Sequence, residues 1–528
     1  MQMKQKALLV ATGLLSLALT GCGGNSVNND VEDTKNLKIM ILNRGYGTTW
    51  LERIKENFEA KNEGVTVSIE TADLADSITQ SLKGGKSQND YDLYFDVSEY
   101  QTASLVNTYS SYDGGLLNLD DLYSSKIPGE SLTYGEKMNA TVKDELSLDG
   151  HYYSTSWATS TLGIYYNETV LNNVLGSFDV PVTSDELVVL GKKFVAKGND
   201  NKYCLFIKNL DCISRTLFLG WWAQYEGIEN YGNFNSARYV DDATGKTYGN
   251  DVRIYTQQGR LKALEAIEPL TRADGDKLGY QYASSTQSSM FKSIQSFFYD
   301  SKQSYALYPC GDWLEQESGI GSSSTVKMMK LPVLSSIIEN LPKSSIKDDA
   351  TLSKVVKAID EGKTSYEGVD PEDFAKIKEA RSTSSSMANF HIAYIPAYAN
   401  AKNLAKNFLL NMASDECIQI YKDNVKGGFL PFNYTYDESK LSVTEKSVAE
   451  VNKDANYVFY SKKNPVFYLG NALYYSLANA GGYTIEESLS VSSSSTKVYR
   501  TPQQFYEEFS TYYSGSNWQN KVLSKINQ

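Results

Sequence analysis

Between Leu37 and Phe95 the chain switches back and forth between two hydrophobic periods, and no other feature limits its fold as much. "LKIMIL" (37–42) is an apolar run of buried-strand length, and "VTVSIE" (65–70) alternates as a half-buried strand does. Between them, "TTWLERIKENFEAKN" places Leu51, Ile54 and Phe58 on one helical face behind a Thr49–Glu52 capping-box pattern. A second helix carries Leu74, Ile78 and Leu82 at a spacing of four and stops at Gly84-Gly85, after which "YDLYF" (91–95) reads as a third strand. Strand, helix, strand, helix, strand is the signature of an α/β fold with a parallel sheet. Ligands of such sheets bind beyond the carboxyl ends of the strands. This places "NRGYG" (43–47) and "DVSEY" (96–100) at a candidate site, with Asn43, Arg44, Tyr46, Ser98, Glu99 and Tyr100 as contacts or as solvated loop residues.

The amino terminus points outside the cytoplasm. Lys4 and Lys6 precede a short apolar run, Ala7 to Leu19, and "LTGC" follows at once, ending at Cys22. The run is shorter than the roughly 20 residues a spanning helix needs. Residues 1–21 therefore read as a signal peptide, and Cys22 as a lipidation site on the extracytoplasmic face of the membrane; the alternative is an ordinary secretory signal. The polar residues up to 36 read as a flexible tether. About 490 residues remain, too many for one core.

A net charge of −12 argues against nucleic acid or an anionic lipid surface as the main partner. Among the five cysteines there is no C-x-x-C pair, so zinc ligation is not expected; Cys204 and Cys212 are either two thiols or a short disulfide loop. Neither His151 nor His391 lies in a hydrolase or metalloprotease motif, so both read as structural. No cofactor is expected.

Tyrosine outnumbers phenylalanine 39 to 19. Four of these tyrosines lie in "HYYSTSWATSTLGIYYNET" (151–169), aromatic and hydroxyl-rich at once. Such a mixture suits a ligand with both C–H faces and hydroxyls. Further along, a capping box at Thr183–Glu186 opens a helix, another helix runs near Gln258–Leu270, and "SYALYPCGDWLEQE" (304–317) reads as strand, turn and helix start. "FHIAYIP" (390–396) is a strand and "AKNLAKNFLLNMAS" (401–414) a helix.

In this order the pieces resemble the extracellular solute-binding proteins of ABC importers, in the group related to maltodextrin- and oligosaccharide-binding proteins. The segments that carry the likeness are the lipobox, "NFEAKNEGVTVSIE", "YDLYF" with "GGLLNLDDL", "HYYSTSWATSTLGIYYNETVL", "PVTSDELVVLGKKF", "ALYPCGDWLEQE", "KMMKLPVLS" and "IAYIPAYANAKNLAKNFLLNMASDECIQIY" with "GGFLPFN". The resemblance implies a two-lobed type II binding-protein fold with a cleft between the lobes. It divides the chain into a first lobe of 37–155 and 387–425, a second lobe of 156–333 and 426–528, and an insertion, 334–386, expected to be a surface excursion near the hinge with flexible ends. By the same resemblance Trp157 and Ser160 line the cleft floor, although relatives commonly carry proline at the position of Ser156 and often an acid at that of Ser160. Trp313 falls where relatives place a stacking tryptophan, beside Asp312 as a hydroxyl acceptor. Of Trp221 and Trp222, adjacent on a helix, only one is expected to reach the cleft.

The implied function is binding without turnover: a monomeric, lipid-anchored receptor that takes a carbohydrate and delivers it to permease subunits. A sugar face stacked on tryptophan contributes roughly 1 to 2 kcal/mol at ~25 cal/mol per Å². The rival readings are the same fold holding a peptide or another polar metabolite, a surface glycoside hydrolase with two carboxylates about 5 to 9.5 Å apart, and a helical surface glycan-binding lipoprotein, which the early α/β elements oppose.

Overall fold

The computed structural model describes residues 32–523, except 98–105, 107–112, 114, 199–203, 209–212, 236–237, 242, 273–277, 282–304, 319–324, 387–390, 454, 460–475, 478–482, 491 and 496–497. The lipobox with Cys22, and Ser98, Glu99, Tyr100 and Cys212, thus lie outside the described residues.

The first elements follow the sequence pattern closely: β1 (Asn36–Leu42), α1 (Thr49–Lys61), β2 (Thr66–Ala72), α2 (Ala75–Gly84) and β3 (Leu93–Val97). α1 buries Trp50, Leu51, Ile54 and Phe58, the face that the periodicity marks. The capping-box reading is corrected: Thr49 is already helical, and Thr48 before it makes no side-chain cap bond. α2 ends as expected on Gly85, whose positive φ of 60° suits glycine. β1 pairs in parallel with both β2 and β3.

The chain leaves this lobe through β4 (Thr155–Ser156) and enters the second as β5 (Thr161–Asn167), every residue of which is buried. There follow α3 (Ser184–Ala196), capped by Thr183, then β6 (Cys204–Lys208), α4 (Leu219–Glu226), α5 (Ile228–Asn235), α6 (Gln258–Thr271), β7 (Gly279–Gln281), β8 (Tyr305–Gly311), α7 (Leu314–Ser318) and β9 (Val326–Met329). The inserted segment supplies α8 (Asp349–Asp360), α9 (Pro371–Ser382) and β10 (Thr383–Ser386). The chain then returns to the first lobe through β11 (His391–Tyr394), α10 (Lys402–Met412) and α11 (Asp415–Asn424), and crosses a third time into α12 (Val443–Asn452) and β12 (Asn456–Phe459).

Two sheets result, ordered β2-β1-β3-β11-β4 and β7-β6-β8-β5-β10-β12, with β9 also paired to β5. Each has its own apolar core. Because β4 pairs with β11, the first crossing begins after Ser156. At the third crossing Leu430 and Phe432 still belong to the first lobe's core, so that lobe extends past residue 425.

The insertion departs from expectation. Val333, Ile337, Leu352, Val355, Val356, Phe374 and Ile377 form a small core of its own against Val182. "STSSS", expected to be a flexible end, is buried as β10 between β5 and β12. Two of its hydroxyls are accommodated by backbone acceptors, Thr383 donating to the Glu379 carbonyl at 3.0 Å and Ser386 to that of Ser160 at 2.8 Å, while the Ser385 hydroxyl is buried without a partner. The residues before β10 are an addition to the second lobe, and β10 itself is part of that lobe's sheet.

Candidate functional site

The lobes meet where β1 and β8 end. Gly45 and Gly47, at φ of 52° and 68°, turn the chain after β1 so that Tyr46 points inward and Asn43 and Arg44 face solvent. The Tyr46 hydroxyl donates to Asp312, on the opposite lobe. Asp312 is also locked to the first crossing: its backbone N–H donates to the Thr161 carbonyl at 2.9 Å, and its second carboxylate oxygen accepts the Thr161 N–H at 3.1 Å. Burial pushes the Asp312 carboxyl up to about 7, against the hydrogen bonds from Tyr46 and Thr161 and the charge of Lys422. Burial and the Asp312 charge likewise raise the Tyr46 hydroxyl. A carboxyl held near neutrality has the profile of a general acid, but both of its oxygens are engaged within the protein. Asp312 is therefore an interlobe clasp, which corrects its expected role as an acceptor for ligand hydroxyls, and Tyr46 is the other half of the clasp rather than a surface contact.

Trp313 lies directly above this clasp. It is partly exposed, and it packs against the cores of both lobes and a third, smaller cluster around Tyr308 and Leu314. The ring lies over Gly311, where a Cβ would come within 2.1 Å of it, which is why the turn is spelled Gly-Asp-Trp. From the first lobe Gly45 presses on it, with a built Cβ 3.4 Å from that of Trp313, and Tyr46 meets it edge-on at 6.5 Å. At the rim Glu317, on α7, is raised by burial, with the Arg44 charge opposing. One partly exposed indole, with Asn43 and Arg44 on one side and α7 on the other, is thus held where the two lobes touch.

The third crossing, whose "GGFLPFN" carries the family resemblance but no role in the reading of the sequence, passes under the same point. Gly427 has φ of 93° and leaves no room for a side chain, since a Cβ would lie 1.8 Å from the Asp312 carbonyl oxygen; at Gly428 a Cβ would lie 2.4 Å from the Tyr46 ring. Lys422 on α11 and Glu445 on α12 form a buried ion pair at 2.8 Å, and Lys422 also reaches the Gly427 carbonyl at 3.3 Å. Burial pulls the Lys422 ammonium down, with Glu445 opposing; in Glu445 the Lys422 charge and the Ser442 N–H overcome burial and hold the carboxyl low. A Gly-Gly pair after a helix was the available signal for the close approach. The ion pair had none.

The remaining sequence-predicted residues are placed differently. Trp157 is 1% exposed, stacked on Trp50 at 5.3 Å, and donates from its indole nitrogen to the Asp96 carbonyl at 3.1 Å, so it supports the floor from beneath. Ser160 is buried against His391 Nδ1 at 3.0 Å. Trp221 and Trp222 are both fully buried in the second lobe, bonded to the Pro332 carbonyl at 2.9 Å and to Gln257 Oε1 at 2.7 Å. The expectation that one of them reaches the cleft is corrected: the Trp221–Trp222 stretch of α4 is covered by α5, α6 and the insertion. Among the described residues no cluster of His, Cys, Asp or Glu could hold a metal, and no helix is long and apolar enough to cross a membrane.

Residues 43–295 match the family of bacterial extracellular solute-binding proteins. That stretch is 253 of the chain's 528 residues, and over it the chain is similar to the family. A curated relative, the diacetylchitobiose binding protein NgcE of Streptomyces coelicolor, is 24% identical over 336 residues, spanning 59% of this chain and 60% of the relative. The chain thus spans less than two thirds of that relative's length. Among solved structures it is similar to the GacH receptor of Streptomyces glaucescens, solved unliganded and with acarbose, at a TM-score of 0.53 and 14% identity over 92% of this chain and 100% of that one. An ABC substrate-binding protein of Listeria monocytogenes, solved with cycloalternan, matches at a TM-score of 0.52 and 12% identity over 91% and 98%. The likeness to these structures, together with the two sheets and their crossings, makes this a two-lobed α/β binding-protein fold.

Proposed function

We propose that this solute-binding protein is the lipid-anchored receptor of an ABC importer and takes a neutral oligosaccharide between its lobes. The observation that carries the proposal is Trp313: a partly exposed indole, fixed from below by Gly311 and Gly45 at the contact of the two lobes. An aromatic face in that position stacks a pyranose ring, while Asn43 and Arg44 offer amide and guanidinium partners for its hydroxyls. The named ligands of the three similar proteins, diacetylchitobiose, acarbose and cycloalternan, are all saccharides or saccharide-like. The N-terminal "LTGC" supports anchoring through Cys22. With Asp312 enclosed, the site binds without cleaving, and delivery to permease subunits follows from the family.

A thermal-shift screen against a glycan panel tests this reading: a ligand at 100 times its dissociation constant adds about 2.7 kcal/mol. Stabilisation by peptides or amino acids and by no glycan would overturn the saccharide assignment, and release of shorter products would overturn binding without turnover.

A further inference from the structure

The inserted segment builds a second concavity, remote from Trp313. On the outer side of the second lobe, α4 and α5 face Ile337, Glu339, Asn340, Lys376 and Glu379 of the insertion across a groove of about 690 Å³. A neighbouring hollow of about 320 Å³ shares Tyr225, Glu226, Asn230, Val240 and Asn340 with it, so the two form one trough that continues to Tyr239 and Gln258. The first lobe contributes none of the lining.

In the groove's wall is a buried donor without a partner, its nitrogen closed off from solvent. Gln224, 3% exposed, accepts the Leu334 N–H on its Oε1 at 2.7 Å, which fixes the orientation of its amide, and its Nε2 has no hydrogen-bond partner. A buried N–H₂ left unpaired costs roughly 1 to 3 kcal/mol. Asn233, also buried, adds a second amide to the same wall. Most charged groups of the groove already have hydrogen-bond or ion-pair partners. Glu226 accepts the Gly259 N–H at 2.7 Å and the Asn230 amide, Glu379 accepts the Ile228 N–H at 2.9 Å, Glu339 pairs with Lys262 at 2.9 Å, and Lys376 donates to the Asn340 carbonyl at 3.1 Å. The surplus of carboxylates over Lys376 disfavours an anionic ligand, and the amides offer donors to hydroxyl oxygens. The partly exposed rings of Tyr225 and Tyr239 supply apolar faces along the trough, although Arg253 already covers one face of Tyr239 at 4.2 Å.

We infer that this trough is a second binding site, for a neutral polyhydroxylated ligand of the saccharide class, built by the insertion and independent of the hinge. The inference rests on the saccharide reading of the protein but not on the cleft. It holds a glycan on the second lobe alone, so occupancy leaves the arrangement of the lobes unchanged.

The test is calorimetric titration of the full chain with malto-, cello- and chito-oligosaccharides, in the wild type and in Trp313→Ala, Asn233→Leu and Glu229→Trp, each checked for a cooperative melt. Glu229 is exposed at the groove, so the tryptophan there blocks the trough even if Asn233→Leu were to perturb folding. The expected result is two sites per chain. Trp313→Ala weakens one and abolishes its ligand-induced compaction in solution scattering, while Asn233→Leu and Glu229→Trp weaken the other at least tenfold without changing the compaction. A single site removed by Trp313→Ala and untouched by the groove variants overturns the second site and leaves the cleft reading standing. A single site lost only in the groove variants sinks the cleft reading and keeps this one. If no oligosaccharide binds, both fall, and the groove holds water only.

Discussion

Among the buried polar links between the lobes, two are built differently. Tyr46 and Asp312 come from loops at the carboxyl ends of strands in opposite lobes, 266 residues apart, and meet through one neutral donor and one carboxyl. Lys422 and Glu445 are only 23 residues apart and flank the third crossing itself, with full charges and with the Gly427 carbonyl and the Ser442 N–H as further partners. The first link can exist only while the lobes touch. The second is carried by the connecting segment, so it can persist whatever the lobes do. We read the Tyr46–Asp312 contact as the clasp that responds to ligand and the Lys422–Glu445 pair as the pivot that does not.

The largest expected effect comes from breaking the pivot. Lys422→Met leaves Glu445 charged and buried, which costs about 3 to 5 kcal/mol. Denaturant unfolding should show that loss, whereas the paired Lys422→Met, Glu445→Leu variant should recover most of it. Equal losses in the single and double variants would mean that packing, not charge, matters there.

Neither link was legible in the sequence, and the reason is physical. β1 to β3 could be read because each strand and helix writes its burial into a local period, and the structure differs there by only a residue or two at the ends. Trp313 stood out because the resemblance places a stacking tryptophan in that turn. Burial depth is not local. Trp221 and Trp222 look like a ligand platform in composition and are core because other helices cover α4. "STSSS" lacks any apolar signal, yet β10 is internal because the strands on either side pair its backbone and nearby carbonyls accept from two of its hydroxyls. Gly427 precedes an ordinary-looking loop, and its conflict with Asp312 is visible only once 115 residues of chain have folded back.

The clasp differs from the pivot in its response to pH. The Asp312 carboxyl titrates near 7 in the folded protein and near 3.8 when unfolded, so between those values the folded state holds a proton that the unfolded chain has released. Its contribution is therefore fully present below about pH 4 and is lost as pH rises towards 7, by up to a few kcal/mol. Asp312→Asn lacks this titration, and its stability should fall less over that window. Parallel stability curves for the two proteins between pH 4 and 7 would show that Asp312 titrates normally.

A smaller effect is expected of Tyr46→Phe, which leaves the carboxyl without its cross-lobe donor at a cost of about 1 to 3 kcal/mol. The same variant separates clasp from pivot: it should reduce ligand-induced compaction in scattering, which the charge-free Lys422, Glu445 double variant should preserve. Loss of compaction in both would erase the distinction between them.

The central claim is that Trp313 is the platform on which a saccharide closes the lobes. Calorimetric titration of wild type and Trp313→Ala with an oligosaccharide that stabilises the wild type, followed by scattering of both with and without that ligand, tests it most directly. Affinity at the cleft should fall at least tenfold, about 1.4 kcal/mol, with the compaction lost, and the unliganded melting temperature should fall as well because the ring also packs on three apolar clusters. Unaltered affinity with a lowered melting temperature would contradict the account, because Trp313 would then be packing material between the lobes and the ligand would sit elsewhere.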